Sequence, residues 1–259
     1  MNVNDNIEST PYPDVNQVLI LLLNNIRTIL RDYFVGMYLY GSLASGDFEP
    51  ERSDIDFLVV TNGELPEKTI SDLKIMHHRM YESGLKLAKH LEGSYIPKET
   101  VGKYSPDGPA WPMINQDNLL VAHDLCSWVI NNYILYNHGI VISGPPLQNV
   151  IDHVSPEELM NAVLTLLRDV WTPWQDNVDL FRSDEYQPFV VLTMCKALYT
   201  LKHGDVISKK RSAEWAMANL DKKWAFLINQ ALSWHFGDTP GDIGQTQDFM
   251  RYIFKEAGL

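Results

Sequence analysis

The chain has 259 residues, 45% of them hydrophobic, and its 33 acidic residues against 21 basic ones give a formal net charge of −12. That length and apolar content suffice for more than one core, and a chain this acidic lacks the basic footprint that a DNA or RNA substrate demands. Its field attracts cations instead, which favours a cationic small molecule as partner.

Residues 1–14 are polar, hold Pro11 and Pro13, and read as a loose lead-in. Val18, Leu21, Leu22, Ile26, Ile29 and Leu30 recur at helical spacing and predict a helix over 14–34. Its apolar run is too short for a membrane span and too far from the start for a secretory signal, so no membrane partner is expected. A strand over 35–40 leads into Gly41-Ser42, a short helix, and a second strand around Asp54-Ile55-Asp56. After the turn at Asn62-Gly63 the pattern predicts a helix over 66–83, a strand over 86–96 and a Pro- and Gly-rich loop over 97–115 around Trp111-Pro112-Met113. A helix over 117–137, stopped by His138-Gly139, and a strand over 140–143 complete this part. Cys126 and Cys195 lack metal-ligand spacing, which predicts buried thiols in a cytoplasmic protein.

From Ser155 onward the spacing is helical throughout, over 155–170, 187–203, 209–220, 221–234 and 246–257. Ser155-Pro156-Glu157-Glu158 supplies an N-cap, a proline at the first helical position and a reciprocal acid. The expected organisation is an α/β domain with a mixed sheet over 1–152, followed by an all-α helical bundle over 153–259.

One stretch specifies chemistry. Strand side chains alternate between faces, so Asp54 and Asp56 point the same way about 7 Å apart, a spacing that lets two carboxylates share divalent ions. Gly41 allows the backbone close to a polyphosphate, and Ser42 donates from a helix start, where anions are favoured. Together they describe metal-assisted transfer from a nucleoside triphosphate. A third acid is expected from Glu92, on the same strand face as His90 and Ser94, where it would deprotonate an attacking hydroxyl; Glu82 and Glu99 are its competitors. Ser208-Lys209-Lys210-Arg211 places positive charge at a helix start, which is unfavourable unless an anion is present. Lys196 interrupts an otherwise apolar helical stretch.

Gly41-Ser42-Leu43-Ala44-Ser45-Gly46 followed by Ser53-Asp54-Ile55-Asp56 resembles the defining motif of the nucleotidyltransferases related to DNA polymerase β. Leu91-Glu92, the run from Val190 to Lys196, and Gly204-Asp205-Val206-Ile207-Ser208-Lys209 continuing to Ala213-Glu214-Trp215-Ala216-Met217 narrow the likeness. They resemble the aminoglycoside adenylyltransferases of the streptomycin/spectinomycin (3″)(9) type, over most of the chain. The resemblance implies ATP as co-substrate and Mg²⁺ on Asp54 and Asp56 with Glu92 beside them. Gly41, Ser42, Ser53, Lys196 and Lys209 then face the nucleotide, Glu92 acts as the base, and one chain suffices.

The same resemblance puts the drug against aromatic and acidic residues of the stretch 171–186, which implicates Trp174, Asp179, Asp184 and Glu185. This stretch is longer than the family pattern, and Asp184-Glu185-Tyr186-Gln187-Pro188 replaces an acidic-arginine signature. A core role for Trp171 and Trp174 with a solvated acidic loop is the equal alternative. The implied function is ATP-dependent O-adenylylation of an aminoglycoside or aminocyclitol. Another acceptor (metabolite, protein or tRNA) and a non-catalytic nucleotide-binding regulator are the rivals.

Overall fold

The computed structural model of the chain describes residues 9–101, 109–123, 127–177, 179, 181, 186–235, 238 and 241–259. The chain forms two compact units, Met1–Asp124 with Ile134–His153, and Leu125–Tyr133 with Val154–Leu259.

In the first unit, helix α1 (Pro13–Leu30) starts with proline at its first turn and buries Val15, Val18, Leu19, Leu22, Leu23, Ile26 and Leu30. A 3-10 turn, Arg31–Tyr33, feeds strand β1 (Phe34–Leu39), followed by the five-residue helix α2 (Gly41–Ser45) and strand β2 (Ile55–Thr61). Helix α3 (Glu67–Tyr81) crosses over to β3 (Leu91–Pro97), and a hairpin of β4 (Trp111–Asn115) and β5 (Asn118–Ala122) follows. Helix α4 (Ser127–His138), whose residues up to Tyr133 belong to the second unit, and the short strand β6 (Ile140–Ser143) end the series. The sheet order is β5-β4-β3-β2-β1-β6. The β2–β3 pair is parallel and the others antiparallel, so the sheet is mixed as expected.

Both faces of the central strands are largely buried, and one of them packs against helices. Met37 and Leu39 of β1, Ile55, Phe57 and Val59 of β2, and Leu91 and Tyr95 of β3 pack with α1 and α3 into one apolar core. Alternate residues of the same strands face the other way, which is the period-2 rule of a pleated strand.

Three elements depart from the sequence reading. The segment expected as strand over 86–96 opens with a 3-10 turn, Lys86–His90, and the strand begins only at Leu91. Trp111-Pro112-Met113, expected in a loop, belongs to β4; residues 118–122, expected in a helix, form β5. Two signals misled. The turn is the pair Gln116–Asp117 with Gln116 at φ 60°, rather than the usual Asn-Gly, and Pro112 reads as a strand breaker. Pro112 is tolerated because the β3–β4 ladder ends at Met113, so its missing N–H removes no bond to β3.

The second unit is helical: α5 (Pro156–Leu166), a π turn (Leu167–Trp171), α6 (Thr172–Trp174), α7 (Tyr186–His203), α8 (Lys209–Asn219), α9 (Ala225–Ser233) and α10 (Ile243–Ala257). The Ser155/Glu158 capping box forms in both directions, with Glu158 N donating to Ser155 Oγ and Ser155 N donating to Glu158 Oε2. Helix α7 packs against α5, α8, α9 and α10 and buries Val190, Val191, Met194, Cys195 and Leu198. Burial pushes the Cys195 thiol up to about 12, so it stays a protonated core side chain. Cys126 lies outside the described residues. Among the described residues no helix is long and apolar enough to cross a membrane.

Candidate active site

The accessible starting end of β2 and β3, on the face away from α1 and α3, gathers the carboxylates. Asp54 immediately precedes β2 and Asp56 lies within it; both are partly exposed, whereas Ile55 and Phe57 between and after them are fully buried. The parallel register sets Ile55 against Leu91 and Asp56 against Glu92. Strand neighbours lie about 4.8 Å apart with side chains on a common face, so Asp56 and Glu92 are adjacent on the sheet. Glu92 pairs on its other side with Asn115 of β4, a neighbour that reading 97–115 as a loop concealed. Extending the register back by one pair brings His90 opposite Asp54, and His90 Nδ1 lies 3.5 Å from Asp54 Oδ1.

The glycine turn is locked onto the same spot. Tyr40 N donates to the Asp56 carbonyl at 3.1 Å, and Gly41 has φ +66°. A Cβ on Gly41 would collide with the Asp56 carboxylate, so this position requires glycine for both conformation and space. Leu43 is buried and anchors α2, and Gly46 ends it in the left-handed region. Ser42 lies partly exposed in its first turn.

Ser53 does something the motif alone does not suggest. Its Oγ accepts from Glu49 N at 3.0 Å and its N–H donates to the Glu49 carbonyl at 2.8 Å, closing the turn that delivers Asp54. Of the competing acids, Glu82 caps the end of α3 and Glu99 lies beyond the far end of β3, beside Lys98. Glu99 is at the other end of the strand pair, and Glu82 belongs to α3, which packs on the opposite sheet face.

Among the described residues no three His, Cys, Asp or Glu side chains form a ready metal cage. Magnesium does not require one: it is typically held by one or two carboxylates with the remaining positions filled by water and substrate phosphates. The Asp54, Asp56 and Glu92 oxygen set at the accessible end of one strand face fits that mode.

In the second unit, Lys209 opens α8, whose N-cap Ser208 accepts from Arg211 N. Lys209 Nζ stands 4.4 Å from the ring centroid of Phe189, itself 41% exposed. Lys196 is partly exposed on α7. Trp171 is buried in the core, so the core alternative holds for it. Trp174 keeps 38% of its surface exposed and meets Trp171 edge-on at 5.9 Å. Phe189 touches Trp171 at 6.2 Å and Tyr186 at 5.9 Å, so it joins an aromatic surface that the sequence reading did not single out. Asp179 is exposed; Asp184 and Glu185 lie outside the described residues.

Two family models match in tandem: a nucleotidyltransferase domain over residues 23–95 and the C-terminal domain of aminoglycoside adenylyltransferase over 149–256. Over most of its length the chain resembles the aminoglycoside adenylyltransferases. It is a nucleotidyltransferase, built as an α/β domain followed by helices. Curated relatives include an aminoglycoside (3″)(9) adenylyltransferase from Escherichia coli, 25% identical over 93% of this chain and 94% of that protein. A spectinomycin 9-adenylyltransferase from Staphylococcus aureus is 25% identical over 83% of each. The fold matches a spectinomycin adenyltransferase from Enterococcus faecialis, solved with ATP and spectinomycin, with a TM-score of 0.72 at 14% identity, covering 94% of this chain and 99% of that one.

Proposed function

We propose that the protein transfers the adenylyl group of ATP to a hydroxyl of an aminoglycoside or aminocyclitol antibiotic of the streptomycin/spectinomycin kind, and so confers resistance. The observation that carries this reading is the register of β2 on β3, which sets Asp56 beside Glu92 with Asp54 two residues upstream on the same face. The acidic chain favours a cationic acceptor, and relatives spanning most of its length carry names of this activity.

In this reading Glu92 accepts the proton of the acceptor hydroxyl, whose oxygen bonds to the α-phosphorus as the α–β phosphoanhydride bond breaks and pyrophosphate leaves. Asp54 and Asp56 would hold Mg²⁺, which would supply positive charge to the phosphoryl oxygens. Gly41 lets the backbone approach the triphosphate, Ser42 donates to it, and Ser53 keeps the loop before Asp54 closed. Lys196 and Lys209 carry positive charge for the nucleotide, with the Phe189 ring holding the Lys209 ammonium. Trp174 and Asp179 offer an exposed ring and carboxylate to the acceptor, with Asp184 and Glu185 as further acids. One chain, working in the cytoplasm where ATP is supplied, carries every residue named; the domains are taken as 1–152 and 153–259.

The test is pyrophosphate release from ATP and Mg²⁺ with a panel of aminoglycosides and aminocyclitols, with mass analysis of the product. Release dependent on one of these acceptors, with an AMP adduct on it, supports the reading. Release only with unrelated metabolites, or nucleotide binding without any turnover, overturns it.

A further inference from the structure

Asp54 differs from Asp56 in how it is held. Asp56 sits in β2, between flanking strand pairs, with the Tyr40 N–H on its carbonyl. Asp54 precedes the first ladder pair, Ile55 with Leu91, so no β2–β3 pair fixes its direction. The residue in the equivalent place on the neighbouring chain segment is His90, last of the 3-10 turn Lys86–His90, whose Leu87 and Ala88 are buried in the core. That turn is tied twice to the loop delivering Asp54: Lys86 Nζ lies 3.1 Å from Glu51 Oε2, and His90 Nδ1 lies 3.5 Å from Asp54 Oδ1. The Lys86–Glu51 pair is largely exposed and contributes little, whereas the imidazole and the Asp54 carboxylate are only 35% and 47% exposed.

We propose that His90 is the positioning residue for Asp54. It rests on the reading of Asp54 as a cation ligand. At 3.5 Å this is an ion-pair contact, and since a carboxylate can only accept, any proton between the two belongs to Nδ1. Contact with one oxygen limits the rotation of the Asp54 side chain. Asp54 with His90 and Asp56 with Glu92 are therefore successive cross-strand pairs on one face, the first orienting and the second reacting. Removing an outer-shell partner of a metal ligand typically costs about 10–100-fold in metal affinity. A contact this long and this open belongs at or below the low end, about 3–10-fold.

The experiment titrates Mn²⁺ into the full chain in the presence of a non-hydrolysable ATP analogue, following free Mn²⁺ by electron paramagnetic resonance, for wild type, His90→Ala, His90→Asn and Asp54→Asn. Affinity for the analogue in EDTA is measured alongside. His90→Ala should weaken Mn²⁺ binding by about 3–10-fold with metal-free affinity unchanged, and His90→Asn, which keeps a donor, should return to within about twofold of wild type. Unchanged Mn²⁺ affinity in His90→Ala, or equal losses in Ala and Asn, overturns the proposal. If Asp54→Asn abolishes Mn²⁺ binding while His90→Ala is silent, only the His90 inference fails. Retention of full Mn²⁺ affinity by Asp54→Asn removes the metal assignment of Asp54 itself, and this inference with it.

Discussion

The two faces of the β2–β3 pair use the same backbone for opposite purposes. On the helix-covered face Ile55, Phe57, Val59, Leu91 and Tyr95 are buried among α1 and α3. A polar group there, His77 of α3, shares a 2.7 Å hydrogen bond between its Nε2 and the Tyr95 hydroxyl beside the Phe57 ring. On the other face only the start is open: Asp54, Asp56 and Glu92 remain partly exposed, while Leu58, Val60, Ser94 and Ile96 further along are buried. The difference teaches that burial, not residue type, separates a structural polar group from a reactive one. His77 is held neutral because desolvation pushes its imidazole down to about 3, whereas the carboxylates stay within reach of water and ligands.

The comparison predicts that substitutions at this open start cost activity and those on the helix-covered face cost stability. The largest effect belongs to Glu92→Gln, which preserves size but cannot accept the proton. Single-turnover adenylyl transfer should fall by about 10²–10⁴-fold while ATP affinity by calorimetry is unchanged. Transfer within a few-fold of wild type would falsify the assignment of Glu92 as base. Gly41→Ala comes next. The new methyl must displace the Asp56 carboxylate, and misplacement of catalytic groups by about 1 Å costs on the order of 10²-fold, read as a drop in kcat larger than the change in melting temperature.

The covered face yields the smaller effects. His77→Phe fills similar space but leaves the Tyr95 hydroxyl buried without its partner, for a loss of about 1–3 kcal/mol in denaturant unfolding at neutral pH. Turnover corrected for folded protein should not move; a loss of activity matching Gly41→Ala would break the division between faces. The pH dependence of stability sharpens it further. The unfolded chain takes up the His77 proton below the ordinary value of 6.5, while the folded chain resists until about 3, so this contribution is whole above 6.5 and is lost as pH falls through that window. The slope is about 1.4 kcal/mol per pH unit, or about 2 kcal/mol by pH 5. His77→Gln, which does not titrate, should show a flatter acid limb from pH 6.5 to 5.

Much of this arrangement was legible in the sequence, and the misses have physical causes. The strand, glycine turn and acid-bearing strand were readable because Gly41 and the alternation around Asp54 and Asp56 constrain the backbone locally. Glu92 was reachable because alternation from Leu91 to Tyr95 separates apolar from polar residues by face. The β4–β5 hairpin was not legible, since Gln116 adopts positive φ without being glycine or asparagine and Pro112 stands where the ladder to β3 has ended. With the hairpin hidden, Asn115 beside Glu92 stayed hidden too. Phe189 beneath Lys209 went unnoticed for another reason: helical spacing identifies a core stripe, and this ring lies partly outside it.

The parallel pairing of Asp56 with Glu92 also dictates where this gene can change length. The crossover from β2 to β3 passes exposed turns at Gly63 and Gly84, where an added Cβ would meet nothing, and insertions there leave both strands untouched. Between Ala88 and Glu92 the situation is reversed. A single inserted codon would slip β3 by one residue, turn Glu92 toward the helices and bring its apolar neighbours out to the carboxylates. Insertions are therefore expected to be accepted at the turns, while the few residues leading into β3 cannot change in number.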